Sequence, residues 1–167
     1  MKHLRTVHVT LLLLIAACIP ALAQTPDDYS LSLATGWELS AYTDGAKVER
    51  VEYIYGDRSA GLLKVKRVRL DSGETLDAYV DRDTAVTLRF LPGFVQGRQE
   101  RFAGGAMAGM LVQFDFTKGG KPMLGRYYYL AGADNSSIWV LQFTGDRSVL
   151  GQARNITDQM ARSFRER

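Results

Sequence analysis

The residue types that most often carry enzyme chemistry are confined to the start of this chain. Both histidines, His3 and His8, and the single cysteine, Cys18, fall within residues 1–23. Imidazole is the commonest general base, the thiolate is a strong nucleophile, and both are frequent transition-metal ligands. Residues 24–167 therefore disfavour catalysis that depends on histidine or thiol, and we predict no metal and no other cofactor.

Carboxylates are the chemistry that remains. A glycosidase needs two carboxylates about 5 to 10 Å apart, and the candidate pairs are Glu49 with Glu52 and Asp81 with Asp83. Both pairs fall on elements that look solvent-facing, which favours an ordinary charged surface over a catalytic pair.

Two further patterns resemble binding sites. Candidate calcium ligands are Asp71, Glu74 and Asp77. They lack the residue order of a hand-type calcium loop, and we expect them to cap a helix instead. The glycine-rich stretch 102–109 lacks the Gly-Lys-Ser/Thr ending of a phosphate loop and leads into a strand. We expect a flexible entry loop there, whose small residues would allow close approach of a partner backbone.

Arg126 precedes three consecutive tyrosines, Tyr127, Tyr128 and Tyr129. Arginine and tyrosine are favoured at interfaces, where they contribute both contact area and hydrogen bonds. The commoner arrangement is that such rings fill the core while the guanidinium reaches water. As a partner or ligand surface, this cluster is the most suggestive one in the sequence.

The first residues have the three-part pattern of a secretory signal. Lys2 and Arg5 precede an apolar run over 11–19, and Ala21-Leu22-Ala23 offers a small-residue cleavage site. The run is too short to anchor the chain across a bilayer. We predict cleavage after Ala23 and a single domain over 24–167.

A second processing route is possible, because residues 15–18 resemble a bacterial lipobox ending in Cys18. Cleavage after Ala23 is favoured and predicts a periplasmic or secreted protein. Lipidation of Cys18 would instead give a lipid-anchored envelope protein and the only membrane contact. Of 21 basic and 18 acidic residues, the signal removes two basic ones, so the exported domain is nearly neutral and we expect no nucleic-acid partner.

Period-two alternation predicts strands along most of the chain, over 29–33, 37–41, 48–55, 61–70, 94–102, 110–116, 123–131 and 138–144. The alternation in 61–70 changes phase after Lys66, which suggests a bulge. The polar strand 94–102 is expected at a sheet edge. The connections within 110–144 are too short for parallel crossovers, so these strands should be antiparallel neighbours.

Helical spacing predicts two helices. The first runs from about 73 to 91 with Ser72 as N-cap, and Val86 and Phe90 belong to its apolar stripe. The second runs over 149–164, with Asp146 or Ser148 as cap. Because 127–130 and 138–141 are apolar on both faces, we expect helices or loops on both sides of the sheet.

This order of elements resembles the PsbP-like superfamily, which includes bacterial periplasmic proteins of the DcrB type. The resemblance is carried by residues 36–37, a helix over 75–91, the segments 112–114, 127–129 and 139–143, and a closing helix at 163–164. It implies an α+β fold with an antiparallel sheet of about six strands sandwiched between helices. Members are mostly non-catalytic binding, assembly or accessory modules, and no photosynthetic partner is indicated.

Three hypotheses for function follow. The first is an exported, non-enzymatic accessory or binding module of the bacterial envelope that engages an envelope protein. The second is a periplasmic protein that binds a small molecule or lipid between the aromatic side chains of its last strands. The third is a carboxylate-based hydrolase. The oligomeric state is open.

Overall fold

The computed structural model describes residues 27–43, 45–47 and 49–167, so the predicted signal, Ala23 and Cys18 lie outside the described residues. None of the helices in this part of the chain is long and apolar enough to cross a membrane. The elements are β1 (Tyr29–Ser30), β2 (Trp37–Thr43), β3 (Glu49–Tyr55), β4 (Gly61–Arg69), α1 (Leu76–Val86), a 3-10 turn (Leu88–Phe90), β5 (Val95–Phe102), β6 (Gly109–Lys118), β7 (Lys121–Ala131), β8 (Ser137–Asp146), α2 (Arg147–Gln152), α3 (Arg154–Ser163) and β9 (Arg165–Glu166).

Seven strands form one antiparallel sheet in the order β2-β3-β4-β8-β7-β6-β5, and β1 pairs with β9 in a separate two-stranded ladder. The hairpin between β6 and β7 shows how the sequence dictates this pairing. Gly119 and Gly120 both have positive φ, 58° and 77°, which a two-residue turn between antiparallel strands requires. The expected edge position of β5 is confirmed.

Successive residues of the central strands alternate between two apolar clusters, one on each face of the sheet. One cluster joins Tyr128 and Leu141 to Met160 of α3 and to Phe164 just after it. The other joins neighbouring strand residues to α1, among them Val112, Tyr129, Val140 and Val80. This explains why the sequences of β7 and β8 are apolar at consecutive positions instead of alternating.

The helices cover only part of this sheet. Helix α1 contacts β6 and β7, and α2 contacts β7 and β8. On β4 the residues that alternate with the core positions, Lys64 and Lys66, are exposed. The architecture is therefore α+β with a seven-stranded antiparallel sheet and three helices, and the helices do not flank both faces in full as a complete sandwich would.

The first helix is shorter than the sequence predicted. It begins after Thr75, whose side chain accepts a hydrogen bond from the Ala78 amide at 3.2 Å, so Thr75 and not Ser72 is the N-cap. Gly73 has a φ of 80°, which excludes it from a right-handed helix. The helix ends at Val86, and the expected stripe ends with it, since Val86 and Phe90 are exposed.

The last helix is two helices, with a break at Ala153. Asp146 is confirmed as the cap, because its carboxylate accepts from the amides of Ser148 and Val149. Met160 is buried in the first cluster, and Ile156 packs against it.

The bulge predicted in β4 is wrong. Strand β4 pairs with β8 in continuous register from Leu62 to Arg69. The phase change has another cause: Val65 packs with one apolar cluster and Val68 with the other. The register shift of the sheet lies in β5, between Gln96 and Gln99.

Candidate functional site

The structure divides the arginine–tyrosine cluster between the two faces of the sheet. Arg126 and Tyr128 point to the side of α3, whereas Tyr129 packs with the α1 cluster and Tyr127 lies beside it. Arg126 is 4% exposed, and Tyr128 and Tyr129 are fully buried. The four residues form two separate groups instead of one surface, and a partner or ligand role for them stays a prediction.

Arg126 is the centre of a buried hydrogen-bond network. Its guanidinium donates to Thr157 Oγ1 at 3.0 Å, Gln113 Oε1 at 2.6 Å, Tyr128 Oη at 3.0 Å and Asp158 Oδ1 at 2.7 Å. Tyr128 also donates to Asp158 Oδ1 at 2.6 Å, and burial raises the pKa of its phenol. A buried cation needs such complete pairing. The network therefore fixes α3 to β7.

A second buried polar group lies under α1. Tyr129 donates its hydroxyl to Asp83 Oδ2 at 2.7 Å, and burial, followed by the Asp83 charge, raises the pKa of Tyr129. The same two causes raise the pKa of Tyr127 to about 12. Asp81 points elsewhere, since it is exposed and accepts from Gln99 at 3.1 Å. The two carboxylates do not converge, and the expectation that both face solvent is wrong for Asp83.

The other carboxylate pair also departs from expectation. Glu52 is 2% exposed and forms an ion pair with Arg58, whose guanidinium also lies 5.6 Å from the Tyr42 ring centroid. Arg58 lies in the turn between β3 and β4, and its side chain reaches back over β3. It therefore covers Glu52, which was expected to face solvent. The side chain of Glu49 lies outside the described part of the structure.

The three acidic residues considered for calcium each contact an arginine. Glu74 accepts from Arg82 at 2.8 Å, Asp71 lies 3.8 Å from the same guanidinium, and Asp77 pairs with Arg101 at 2.7 Å. Within the described ranges, no group of three or more histidine, cysteine, aspartate or glutamate residues could hold a metal ion. The N-cap is Thr75, and of these three residues only Asp77 lies in the first turn of α1, so their role is ion pairing near the helix start.

The glycine-rich stretch packs against the last helix. Arg162 of α3 donates to the Ala103 carbonyl at 3.3 Å and lies over the Phe102 ring. A Cβ at position 105 would lie 2.7 Å from the Arg162 carbonyl oxygen, so only glycine fits there. The close approach expected of these small residues is to the chain's own helix.

The aromatic side chains of the last strands fill the core. Tyr128 and Phe143 are buried and their rings pack edge to face, and the buried Trp139 packs against Phe164. An open depression of about 640 Å³ lies instead beside β2, where its lining includes Glu38 and Ser40.

We call residues 86–95 the apolar segment. The sequence pattern did not predict that this segment is exposed. Five large hydrophobic side chains are exposed in the described part of the chain, and the three most exposed are Val86 at 64%, Phe90 at 79% and Val95 at 61%. Isolated exposed hydrophobic residues are ordinary, whereas contiguous apolar patches are typical of interaction sites; these three residues lie within ten consecutive positions of the chain.

The apolar segment is held in a defined position. Leu88 is buried in the α1 cluster, and the Pro92 carbonyl accepts a hydrogen bond from the Thr117 amide at 2.7 Å. Pro92 indicates only that Leu91 is not helical, because a residue before proline is driven out of the helical region. Leu91 indeed has φ −65° and ψ 135°, but α1 already ends at Val86, and Phe90 lies in the 3-10 turn between the two.

Comparison with known proteins rests on structure alone, since no family model and no curated protein matches the chain. CyanoP, the PsbP of Synechocystis sp. PCC 6803, matches with a TM-score of 0.58 at 11% identity, over 92% of this chain and 99% of its own. LpqN, described as involved in cell envelope biogenesis of Mycobacterium tuberculosis, matches with a TM-score of 0.60 at 13% identity, over 81% of each chain.

PA94 of Pseudomonas aeruginosa, a protein of unknown function, matches with a TM-score of 0.55 at 12% identity, over 77% of this chain and 97% of its own. Identities this low establish likeness of fold and nothing about activity. The chain has a PsbP-like fold.

Proposed function

We propose that this chain is an exported, non-enzymatic accessory or binding module of the bacterial cell envelope that engages an envelope protein through the apolar segment. The observation that carries the proposal is Phe90, a large aromatic side chain exposed on a segment that Leu88 and Thr117 hold in place. Aromatic residues presented on a fixed scaffold dominate the binding energy of many protein interfaces.

The chemistry of the acidic residues supports a role without catalysis. Glu52 is paired with Arg58, Asp83 with Tyr129, and Asp158 with Arg126. A general acid or base must reach its substrate, and these carboxylates are instead committed to internal partners.

The envelope location rests on the predicted signal and on likeness of fold to LpqN. Mass spectrometry of the exported protein tests it. A mature chain beginning at Gln24 supports release as a periplasmic or secreted domain. A diacylated Cys18 would replace that with a lipid-anchored domain, and a chain retained with its first residues in the cytoplasm would overturn the export proposal.

Mild crosslinking in the envelope fraction followed by co-purification tests the partner. Wild-type chain is compared with Phe90→Ser, and with Lys66→Ser as a matched exposed control on β4. We expect a discrete adduct with one envelope protein that is reduced at least about tenfold by Phe90→Ser, the effect of losing about 1.4 kcal/mol of binding. Lys66→Ser should leave it unchanged. No specific adduct, or equal loss in both variants, would overturn the proposal.

A further inference from the structure

Strand β2 forms one edge of the main sheet, and among the described residues no strand pairs with its outer side. It pairs with β3 over seven consecutive residues, from Trp37 to Thr43, without a register shift. An unpaired edge presents backbone N–H and C=O groups at the spacing that another strand needs. The sheet thus ends on this side in a regular strand that can be continued.

The opposite edge is built to prevent such pairing. Strand β5 contains Gly97 and a register shift, and it carries three charged side chains, Arg98, Glu100 and Arg101. Shifts and edge charges are the devices by which proteins block the addition of strands. Strand β2 has neither a shift, a glycine, a proline nor a lysine, and Glu38 is its single charged residue.

We propose that the occupant of the β2 edge is β2 of a second copy of this chain, paired antiparallel about a two-fold axis that passes Ser40. In this register Ser40 faces Ser40 of the second copy, Leu39 faces Ala41, and Glu38 faces Tyr42. Each of these pairs keeps both members on the same face of the combined sheet, because successive side chains alternate between faces.

The charges in this register are complementary. Tyr42 lies under the guanidinium of Arg58, which donates its Nε to Glu52. A guanidinium has five N–H donors, and one of those of Arg58 is used by Glu52. Glu38 of the second copy would lie beside Arg58 and could accept a hydrogen bond from another of its donors. No two like charges face each other, and like charges directly opposite are what destabilise a strand pair.

The register makes this proposal sharply testable with single cysteines. Opposed Cβ atoms in an antiparallel pair are about 4.5–5.5 Å apart, within reach of a disulfide after small adjustment. The domain 24–167 offers no competing thiol, because Cys18 is the single cysteine of the sequence.

Ser40→Cys should form a covalent dimer with diamide as oxidant. Glu38→Cys alone and Tyr42→Cys alone should not, whereas a mixture of these two should. Gln96→Cys on the β5 edge is the matched control and should stay monomeric. A cysteine at 40 that links to another protein, or crosslinks that form equally at all positions, would overturn the pairing with a second copy.

Sedimentation equilibrium over a concentration series supplies the second measurement. The wild-type exported chain should dimerise reversibly, with the weak affinity expected of a small interface. Ser40→Lys places two ammonium groups opposite each other and should weaken the dimer at least about tenfold, while Gln96→Lys should not. A chain that stays monomeric up to on the order of 1 mM would refute the proposal. The apolar segment borders the opposite edge strand, so this result is independent of the proposed function.

Discussion

The buried network around Arg126 makes a strong prediction for Asp158→Asn. The substitution keeps the size of the side chain but removes the negative charge that lies 2.7 Å from the guanidinium. Arg126 would keep its hydrogen bonds to Gln113, Thr157 and Tyr128. It would nevertheless be a buried cation without a counter-charge, which is the costly state.

The expected magnitude follows from burial. Removing one partner of a fully buried ion pair costs about 3–5 kcal/mol. The Arg126 side chain is 5% exposed, but that of Asp158 is 25% exposed, so water already compensates part of the charge. We therefore expect Asp158→Asn to lower the free energy of unfolding by about 2–3 kcal/mol, which for a chain of this size lowers Tm by roughly 5–10 °C.

Urea unfolding at neutral pH measures this cost, and a double-mutant cycle with Arg126→Met isolates the pair. Removing the cation as well should recover part of the loss, so the two substitutions should be non-additive by at least about 1 kcal/mol. Glu100→Gln is the matched control, because the pair of Glu100 with Arg98 is exposed and should be worth about 0–1 kcal/mol. A loss below about 1 kcal/mol for Asp158→Asn, or strict additivity, would refute the role assigned to the network.

Three further predictions concern single side chains. Tyr129→Phe removes the hydrogen bond to buried Asp83 and should cost about 1–3 kcal/mol in urea unfolding; no loss would mean that the bond is not formed. Gly125→Ala would drive a Cβ into the Phe114 ring and should destabilise by at least about 1–3 kcal/mol, whereas an unchanged urea midpoint would show that the core has slack. Hydrogen bonds, first from Ser137, lower the pKa of Asp134 to about 2. The stabilisation that Asp134 contributes should therefore be present above about pH 4 and be lost as the pH falls toward 2. Asp134→Asn should reduce the pH dependence of the urea midpoint in this range, and an unchanged pH dependence would contradict the prediction.

The sequence predicted the strands well because both their core faces and their turns leave local marks. The paired glycines at 119 and 120 predict the β6–β7 hairpin, and Asp146 predicts the start of a helix. The apolar composition of β7 and β8 indicated that both of their faces are packed. Which helix covers each face depends on where the helices begin and end. The spacing of apolar residues does not determine these ends.

The candidate site was harder to predict because burial of a polar residue depends on partners distant in sequence. Asp83 is buried because Tyr129 reaches it from β7, and Glu52 because Arg58 returns over its strand. Phe90 was assigned to the core because its spacing from Val86 fits a helix. Helix α1 ends at Val86 and Phe90 lies in the 3-10 turn that follows, so the helical spacing does not extend to Phe90.

The measurement that tests the central proposal most directly is site-specific photocrosslinking in living cells. A photoreactive phenylalanine analogue at position 90 samples the apolar segment, and one at position 66 samples the exposed side of β4. The proposal predicts one discrete adduct with an envelope protein from position 90, absent from position 66. Adducts of equal pattern from both positions, or none from position 90 in cells that export the chain normally, would contradict it.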